Sequence, residues 1–584
     1  MRRIAVLAVA FVVLAGGLML LTPALLPKDR VRTEIAEQIS AWTGREVAVS
    51  GEPVISVFPG LRVRIDGVAV AGPPAMRNAE LAQMRGLTAK LRLLPLLIGK
   101  IEFAAFELTG ARIRLVRDEA DRRNWVFDSS VAALQLAFTG DVPLGSFSLV
   151  DGQIDYEDRQ AKRRERLEAV NLKIDWPSVD HPFALSGSAT WRGEPISFQA
   201  GMRDPVSFIN GRQTPFTARL RAEPMDIDFD GTAAGIKNTR LGGQLELASP
   251  SLRRFVGWIG NPLPEAISLA RLTLSGEAMV DSKGLDVSDA RVSLDGNEGT
   301  GGLRIGFGEQ PLITGTLAFQ SLDLEPYLTD LETLRSSPDW QSETIDVDWL
   351  RVVNADIRVS SGKVTAGRLS LGETATAILL EDGVLETGIA QASFYGGTLT
   401  GRLSLRAPSG GAAMQAQLRA SAFSLAAAGR AVNPDLSISG QSSVAGDLST
   451  FGATWGDLIA HLDGTVMIDA AGGEISSFGL EELAAAMRAG KPAATSAGSK
   501  GPWPAMAYRS LAASLQFGNR AALVTSGRLE TAGFLADLGG KIALQDGALD
   551  LAGTMTLPSA GMPQQSFNIV GTLLLPELQA SGGN

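Results

Sequence analysis

Cysteine is absent from this 584-residue chain, and histidine occurs only 2 times, as His181 and His461. Without thiols there is no disulfide, no thiolate metal site and no cysteine nucleophile. Two imidazoles so far apart provide no metal-ligand spacing, so no metal site and no cofactor site is read from the sequence. Basic residues are also in deficit, 53 Lys and Arg against 63 Asp and Glu, for a net charge of −10. Such a chain lacks the positive field that draws proteins to phosphate backbones, and nucleic acid is not an expected partner. Tyrosine is scarce at 4 residues, whereas glycine at 65 and an apolar share of 45% are plentiful. That profile suits many short strands joined by tight turns and ill suits disorder.

Near the N-terminus, residues 4–22 (IAVLAVAFVVLAGGLMLLT) carry no charge. Roughly 19 residues at 1.5 Å each cover about 28 Å as a helix, close to the hydrocarbon thickness of a bilayer. Arg2 and Arg3 precede the run and favour a cytoplasmic N-terminus, against Lys28, Arg30 and Arg32 on the far side. The run exceeds the apolar stretch of a signal peptide and no clean small-x-small cleavage site follows, so a retained transmembrane anchor is expected. Pro23 and Pro27 end it, and residues 29–42 read as a helix with Val31, Ile35, Ile39 and Trp42 on one face and Gly44 as its stop.

Beyond Arg45 the period changes to two. In LRVRIDGVAV, Leu61, Val63 and Ile65 alternate with Arg62, Arg64 and Asp66 before Gly67. The pattern returns along the chain, with Asp-Gly or Asn-Gly pairs beginning at Asp66, Asp151, Asn210, Asp230, Asp295, Asp382, Asp463 and Asp546. Read as two-residue hairpin turns, these pairs predict a long antiparallel meander. Helices look like interruptions. One is expected from Ser249-Pro250 to Ile259 and another from Phe478 to Met487, followed by a mobile Gly/Ala/Ser-rich loop near 488–504.

A half-apolar antiparallel sheet must cover its oily face with helices, with another sheet, or by curling on itself. Helical sequence is too scarce here for the first solution. The fold class expected is therefore mainly β: an N-terminal transmembrane helix, then a long curved antiparallel sheet forming an apolar groove, with a few short helices. Acyl chains suit such a groove because they need dry surface and no directional partners. Candidate groove-facing residues are Leu61, Val63, Ile65, Ile101, Phe103, Ile113 and Leu115 near the entry, with Leu399, Leu403, Ile542 and Leu544 further along. The competing meaning of each is ordinary packed core. No catalytic constellation emerges. Ser360 and Lys363 form a lone Ser-x-x-Lys without companion motifs, and residues 299–302 are glycine-rich without a following Gly-Lys-Ser/Thr. Lys162, Arg163, Arg164 and Arg166 form a basic run after a strand, whose commoner meaning is an exposed hairpin tip and whose alternative is a lipid head-group contact.

Several stretches together resemble the AsmA family of bacterial envelope proteins, which are related to the chorein-type bridge-like lipid-transfer proteins. They include AWTGREVAVSGEPVISVFPGLRVRIDGVAV (41–70), LRLLPLLIGKIEFAAFELTGARIRLVRD (91–118) with NWVF (124–127), and FSLVDGQIDYEDR (147–159). RRFVGWIG (253–260), GTLAFQSLDLEPYL (315–328), FYGGTLTGRLSL (394–405), HLDGTVMIDAAGGEISSFGLEEL (461–483) and FNIVGTLLLPEL (567–578) continue the likeness in order. The family's dG-x-x-NW element stands here as EADRRNW, without the glycine. The resemblance implies a single-pass bacterial inner-membrane anchor, a periplasmic grooved β body, and a part in outer-membrane assembly and lipid homeostasis through binding and transfer of phospholipid. It carries no catalytic residues, so the chain is not expected to be an enzyme. A rival reading is a scaffold that assists outer-membrane protein assembly through exposed strand edges, and outer-membrane assembly proteins are candidate partners beside membrane phospholipids. On this reading residues 1–27 are the anchor, 28–130 the N-terminal module, 131–407 a central β-groove and 408–584 a C-terminal β region.

Overall fold

The computed structural model describes residues 28–580 apart from 44, 58–59, 74–75, 77–79, 93–102, 126–145, 179–180, 236–237, 264–268, 309, 328–338, 409, 433–437, 490–503, 559–563 and 574. The expected anchor at 4–22 and most of the loop expected at 488–504 thus lie outside the described residues. Among those described, no helix is long and apolar enough to cross a membrane. The chain divides into two compact units, Met1–Pro250 with Ser275–Ser282, and Ser251–Leu274 with Lys283–Asn584.

Unit one opens with helix α1 (Lys28–Thr43). Four-residue spacing stacks Ile35 and Ile39 on one side of it, and Ile35 is wholly buried in the unit's core. Arg32 donates to the Val49 carbonyl, tying the helix to the sheet. The strands are β1 (Val47–Val49), β2 (Val54–Ser56), β3 (Arg62–Val70), β4 (Ala82–Leu91), β5 (Phe103–Arg117) and β6 (Ser146–Asp158). They continue as β7 (Arg163–Asp175), β8 (Phe183–Trp191), β9 (Glu194–Met202), β10 (Gln213–Ala222), β11 (Met225–Ala234) and β12 (Arg240–Ser249), with helix α2 (Pro205–Ile209) before β10. β1 and β2 both lie against β3, and from β3 onward each strand pairs with the next.

Helix α3 (Leu252–Trp258) belongs to unit two, and β13 (Leu272–Val280) is divided between the units. Unit two then holds β14 (Gly284–Leu294), β15 (Asn297–Gly306), β16 (Leu312–Phe319), β17 (Leu322–Asp323), β18 (Asn354–Ser361), β19 (Val364–Ala366), β20 (Leu369–Leu371), β21 (Thr374–Glu381), β22 (Val384–Phe394) and β23 (Gly397–Arg406). Next come β24 (Ala412–Ser424), β25 (Gln441–Gly452), β26 (Asp463–Ser476), β27 (Ala505–Gly518), β28 (Ala521–Glu530), β29 (Leu535–Ala543), β30 (Ala548–Thr556), β31 (Gln564–Thr572) and β32 (Pro576–Ala580). Helices α4 (Leu425–Val432), α5 (Trp455–Ala460) and α6 (Leu480–Arg488) interrupt them. β17, β19 and β20 form a small side sheet.

Both units are mainly antiparallel β with few helices, as the sequence led us to expect, but three details are corrected. The sheets are not pure meanders, because β5 pairs parallel with β6 and β16 parallel with β18. Not every Asp-Gly is a hairpin. Asp295-Gly296 and Asp382-Gly383 turn the chain with positive φ at both residues (52° and 87°, 50° and 83°). Asp66-Gly67, Asp151-Gly152 and Asp230-Gly231 instead lie inside β3, β6 and β11. Positive φ serves a bulge as well as a turn, and Asp151 (φ 53°) sits at a register shift of β6 against β7. Finally, the helix expected from Ser249 starts later, capped by the Ser251 hydroxyl, which accepts from the Arg254 amide at 3.3 Å. The Ser249 hydroxyl is committed to the Pro224 carbonyl at 2.8 Å.

Packed cores close parts of each unit. In unit one Leu61, Val63, Ile65, Leu87, Phe103 and Phe106 gather with Ile35 of α1. In unit two Leu480, Leu483 and Ala484 of α6 pack with Met506, Tyr508, Phe534 and Phe567. Each such side chain contributes about 1.5–3 kcal/mol when fully buried. Val63 has 0% exposure whereas Leu418 on β24 is 44% exposed. Val63→Asp is therefore expected to cost more than about 3 kcal/mol, and Leu418→Asp less than about 1 kcal/mol. Thermal melts of the full chain check this, and equal losses would mean that the two positions are packed alike.

Candidate functional site

Successive side chains of a strand point to opposite faces, and residues directly paired across a ladder share a face. In unit one the register therefore aligns Ile65, Leu87, Leu108 and Leu149 of β3 to β6 in one row. The row continues through Leu172, Gly187, Phe198, Leu220, Ile227 and Leu247 of β7 to β12. Beside it runs a second row from Val63 through Phe106, Phe147, Ile174, Leu185 and Phe229 to Leu245. Neither row contains an ionisable residue. The row between them on the opposite face is polar throughout, including Arg64, Glu107, Lys173, Gln199, Arg219, Asp228 and Glu246.

Unit two repeats the arrangement. One row passes from Ala290 of β14 through Leu317, Val359, Ile389, Leu418, Val466, Leu515 and Leu551 to Leu578 of β32. Its neighbour contains Leu403 and Ile542, and the row on its other side contains Leu399. These three positions fall on the uncharged face, and Leu544 lies one residue past β29. The face is unusually low where a glycine meets an aromatic. At Gly299 and Gly553 an added Cβ would come within 2.6 Å and 2.5 Å of the Phe319 and Phe567 rings. Those rings thus lie along the sheet over the glycines instead of standing away from it.

The positions expected to line a groove divide by burial. Leu61, Val63, Ile65 and Phe103 are 0–3% exposed, inside the packed end of unit one. Ile113 and Leu115 are half-buried against the same core, and Ile101 lies outside the described residues. Leu399, Ile542 and Leu544 are half-buried, while Leu403 is 38% exposed. From β7 onward in unit one, Leu172, Ile174, Leu185, Phe198 and Leu220 are also half-buried. The uncharged face is therefore closed where α1 and α6 pack, where Val347 and Leu350 cover Ala355 and Leu380, and at single positions such as Phe229 and Leu245, and it is open to partial solvent contact at positions such as Leu172, Leu220, Leu403 and Leu418.

At one end of β5 to β9 this face becomes charged. Arg117 of β5 pairs across to Asp158 of β6 with Nη1 to Oδ2 at 3.0 Å, and Asp158 stands opposite Arg163 of β7. The Tyr156 hydroxyl donates to Asp158 at 3.2 Å, and the Tyr156 ring lies 5.8 Å from that of Trp125. Glu165 accepts from Arg192 Nη2 at 2.6 Å, Arg163 Nε at 2.8 Å and Trp191 Nε1 at 2.9 Å. The sequence reading of this segment as one basic run, at a hairpin tip or a head-group contact, missed its division between the two faces. Arg164 and Arg166 lie on the polar face and pair with Glu157 and Asp155, whereas counting back by twos from Leu167 puts Glu165 and Arg163 on the uncharged one. That alternation was the available signal.

Other features carry less. On the polar face a cavity of about 560 Å³ is lined by residues including Arg85, Arg112, Asp151 and Glu168, with Arg85 reaching Asp151 at 2.6 Å. Ser360 is exposed on β18 and Lys363 lies in the turn before β19. Residues 299–302 are part of β15. Among the described residues no group of three or more His, Asp or Glu side chains is placed to hold a metal ion.

Burial alone would raise the Glu165 carboxyl, but the hydrogen bonds from Arg192, Arg163 and Trp191 outweigh it and lower the group from 4.5 to about 2. A carboxylate depressed in the folded state adds stability that is complete above the unfolded value and is lost as pH falls from about 4.5 to about 2. Glu165→Gln is therefore expected to flatten the stability profile in that window by up to about 3 kcal/mol, measured by denaturant unfolding at stepped pH; an unchanged slope would remove Glu165 from the account. Among known proteins, no curated protein matches the chain. A family model described as AsmA family matches residues 1–296 and 314–512. With most of its length so matched, and with the mainly β fold laid out above, the chain belongs to the AsmA family.

Proposed function

We propose that this protein is anchored in the bacterial inner membrane by residues 4–22 and binds and transfers phospholipid in the periplasm along the uncharged face of its sheets, in support of outer-membrane assembly. It acts on this reading as a carrier and not as an enzyme. The observation that carries the proposal is the set of rows without an ionisable residue, half-open to solvent, running strand to strand in each unit. Apolar surface left in water costs about 25 cal/mol per Å², and extended apolar patches on a soluble surface mark binding sites. An acyl chain relieves that cost without needing directional partners, and it can move from strand to strand because no single contact holds it. Membership of a family of envelope proteins supports the same setting.

A photo-reactive residue placed in turn at Leu403, Leu418, Arg402 and Gln417 tests the proposal. Leu403 and Leu418 lie on the uncharged face and the other two on the polar face. Phospholipid adducts are expected from Leu403 and Leu418 alone. Labelling that ignores the face, or none at any position in cells, would overturn the proposal. Native mass spectrometry after gentle extraction gives an independent check: co-purified phospholipid supports transfer, whereas a bound client polypeptide in its place favours a scaffold.

A further inference from the structure

Charge reaches the uncharged face of unit one at the strand ends just described, and there it is organised around Arg163. Its Nε is held by Glu165 at 2.8 Å, yet its side chain is 56% exposed. Neither terminal nitrogen has a hydrogen-bond partner among the described residues. Glu165 is itself fixed by Arg192 and Trp191, so it holds the guanidinium in one orientation. On the same face of β7, Leu167 and Leu172 lead away from this pair onto the apolar floor. Trp125, Tyr156 and Trp191 gather at the boundary, and Arg192 stacks over Trp191 at 5.3 Å. Aromatic side chains with a polar tip favour positions where an apolar region meets a wet one. The local charge balance also differs from that of the whole chain. Across 114–123, 155–166 and 192–194, Lys and Arg outnumber Asp and Glu by 10 to 8, in a protein of net charge −10. A planar guanidinium with both terminal nitrogens uncommitted matches the oxygens of a phosphate in a fork geometry.

We infer that this rim is a headgroup station, at which Arg163, oriented by Glu165, takes the phosphate of an anionic amphiphile whose tails rest on the floor beside Leu167 and Leu172. The inference rests on the lipid reading above and adds to it a place and a charge preference for the headgroup. It also gives Glu165 a positioning part, acting through Arg163 without touching the ligand.

Two photoactivatable probes with identical acyl chains test it on the full chain: phosphatidylglycerol, which carries the phosphate, and diacylglycerol, which lacks it. The unmodified protein is expected to label more strongly with phosphatidylglycerol, and Arg163→Gln to lower the ratio of the two labels about tenfold. Arg163→Lys, which keeps the charge and loses the fork, is expected to retain part of the preference. High ionic strength should erode the ratio in the unmodified protein, a measurement that needs no variant to fold. A ratio insensitive to both salt and Arg163→Gln would overturn the headgroup station and leave the lipid-binding face standing. Absence of labelling by either probe would overturn both.

Discussion

Backbone register is the constraint on which the rest of this protein depends. Side-chain period in a strand is two, so a slip of one residue between neighbours would exchange the faces and carry arginines and aspartates into the uncharged rows. The ladder keeps its phase from β3 to β12 in unit one and from β14 to β32 in unit two, apart from the side strands. Where an extra residue enters, two successive residues turn outward and the phase is restored. On β14, Val287 and Ala290 both face the uncharged side, with Ser288 and Asp289 bulged between them. The same device places Leu149 and Gly152 on one side of β6. Bulges of this kind bend a strand and increase its twist without changing which face is apolar.

Two physical regimes follow along that face. At the start of unit one and around α6 in unit two, helices complete tight cores, and the side chains there hold the fold together. A smaller core around Leu350 covers Ala355 and Leu380, but at positions such as Leu403 and Leu418 the same chemical pattern has only its own neighbours for shelter. Hydrophobic burial is left incomplete there, and it is this incompleteness, more than hydrophobicity itself, that distinguishes a surface able to take a mobile apolar ligand from an interior.

Charge is excluded from the floor and allowed at its margin. The Arg163, Glu165 and Arg192 group sits where strands end and water returns, so its ion pairs need not meet the full desolvation cost of a buried site. Most other ion pairs, such as Arg219 with Asp228 and Arg528 with Asp537, lie on exposed polar surface and contribute little to stability. The rim differs because its donors converge on a single, largely buried carboxylate.

Alternation in segments such as LRVRIDGVAV was enough, by itself, to assign faces: side-chain direction in a strand is a local property, and so Leu399, Leu403 and Ile542 could be placed on the apolar side from the sequence. The Asp295-Gly296 and Asp382-Gly383 turns were legible for the same local reason. Tertiary structure alone decided which Asp-Gly pairs turn the chain and which stay inside a strand: both residues have positive φ at Asp295-Gly296 and Asp382-Gly383, only Asp151 does at the β6 bulge, and neither does at Asp230-Gly231, where two partner strands hold the backbone in continuous register. It also decided that β5 meets β6 and β16 meets β18 in parallel, since those contacts join strands separated by long crossovers. And it decided that Val63 is sealed while Leu403 stays partly open, because apolar residues in like alternating strands are distinguished only by whether another element arrives to cover them.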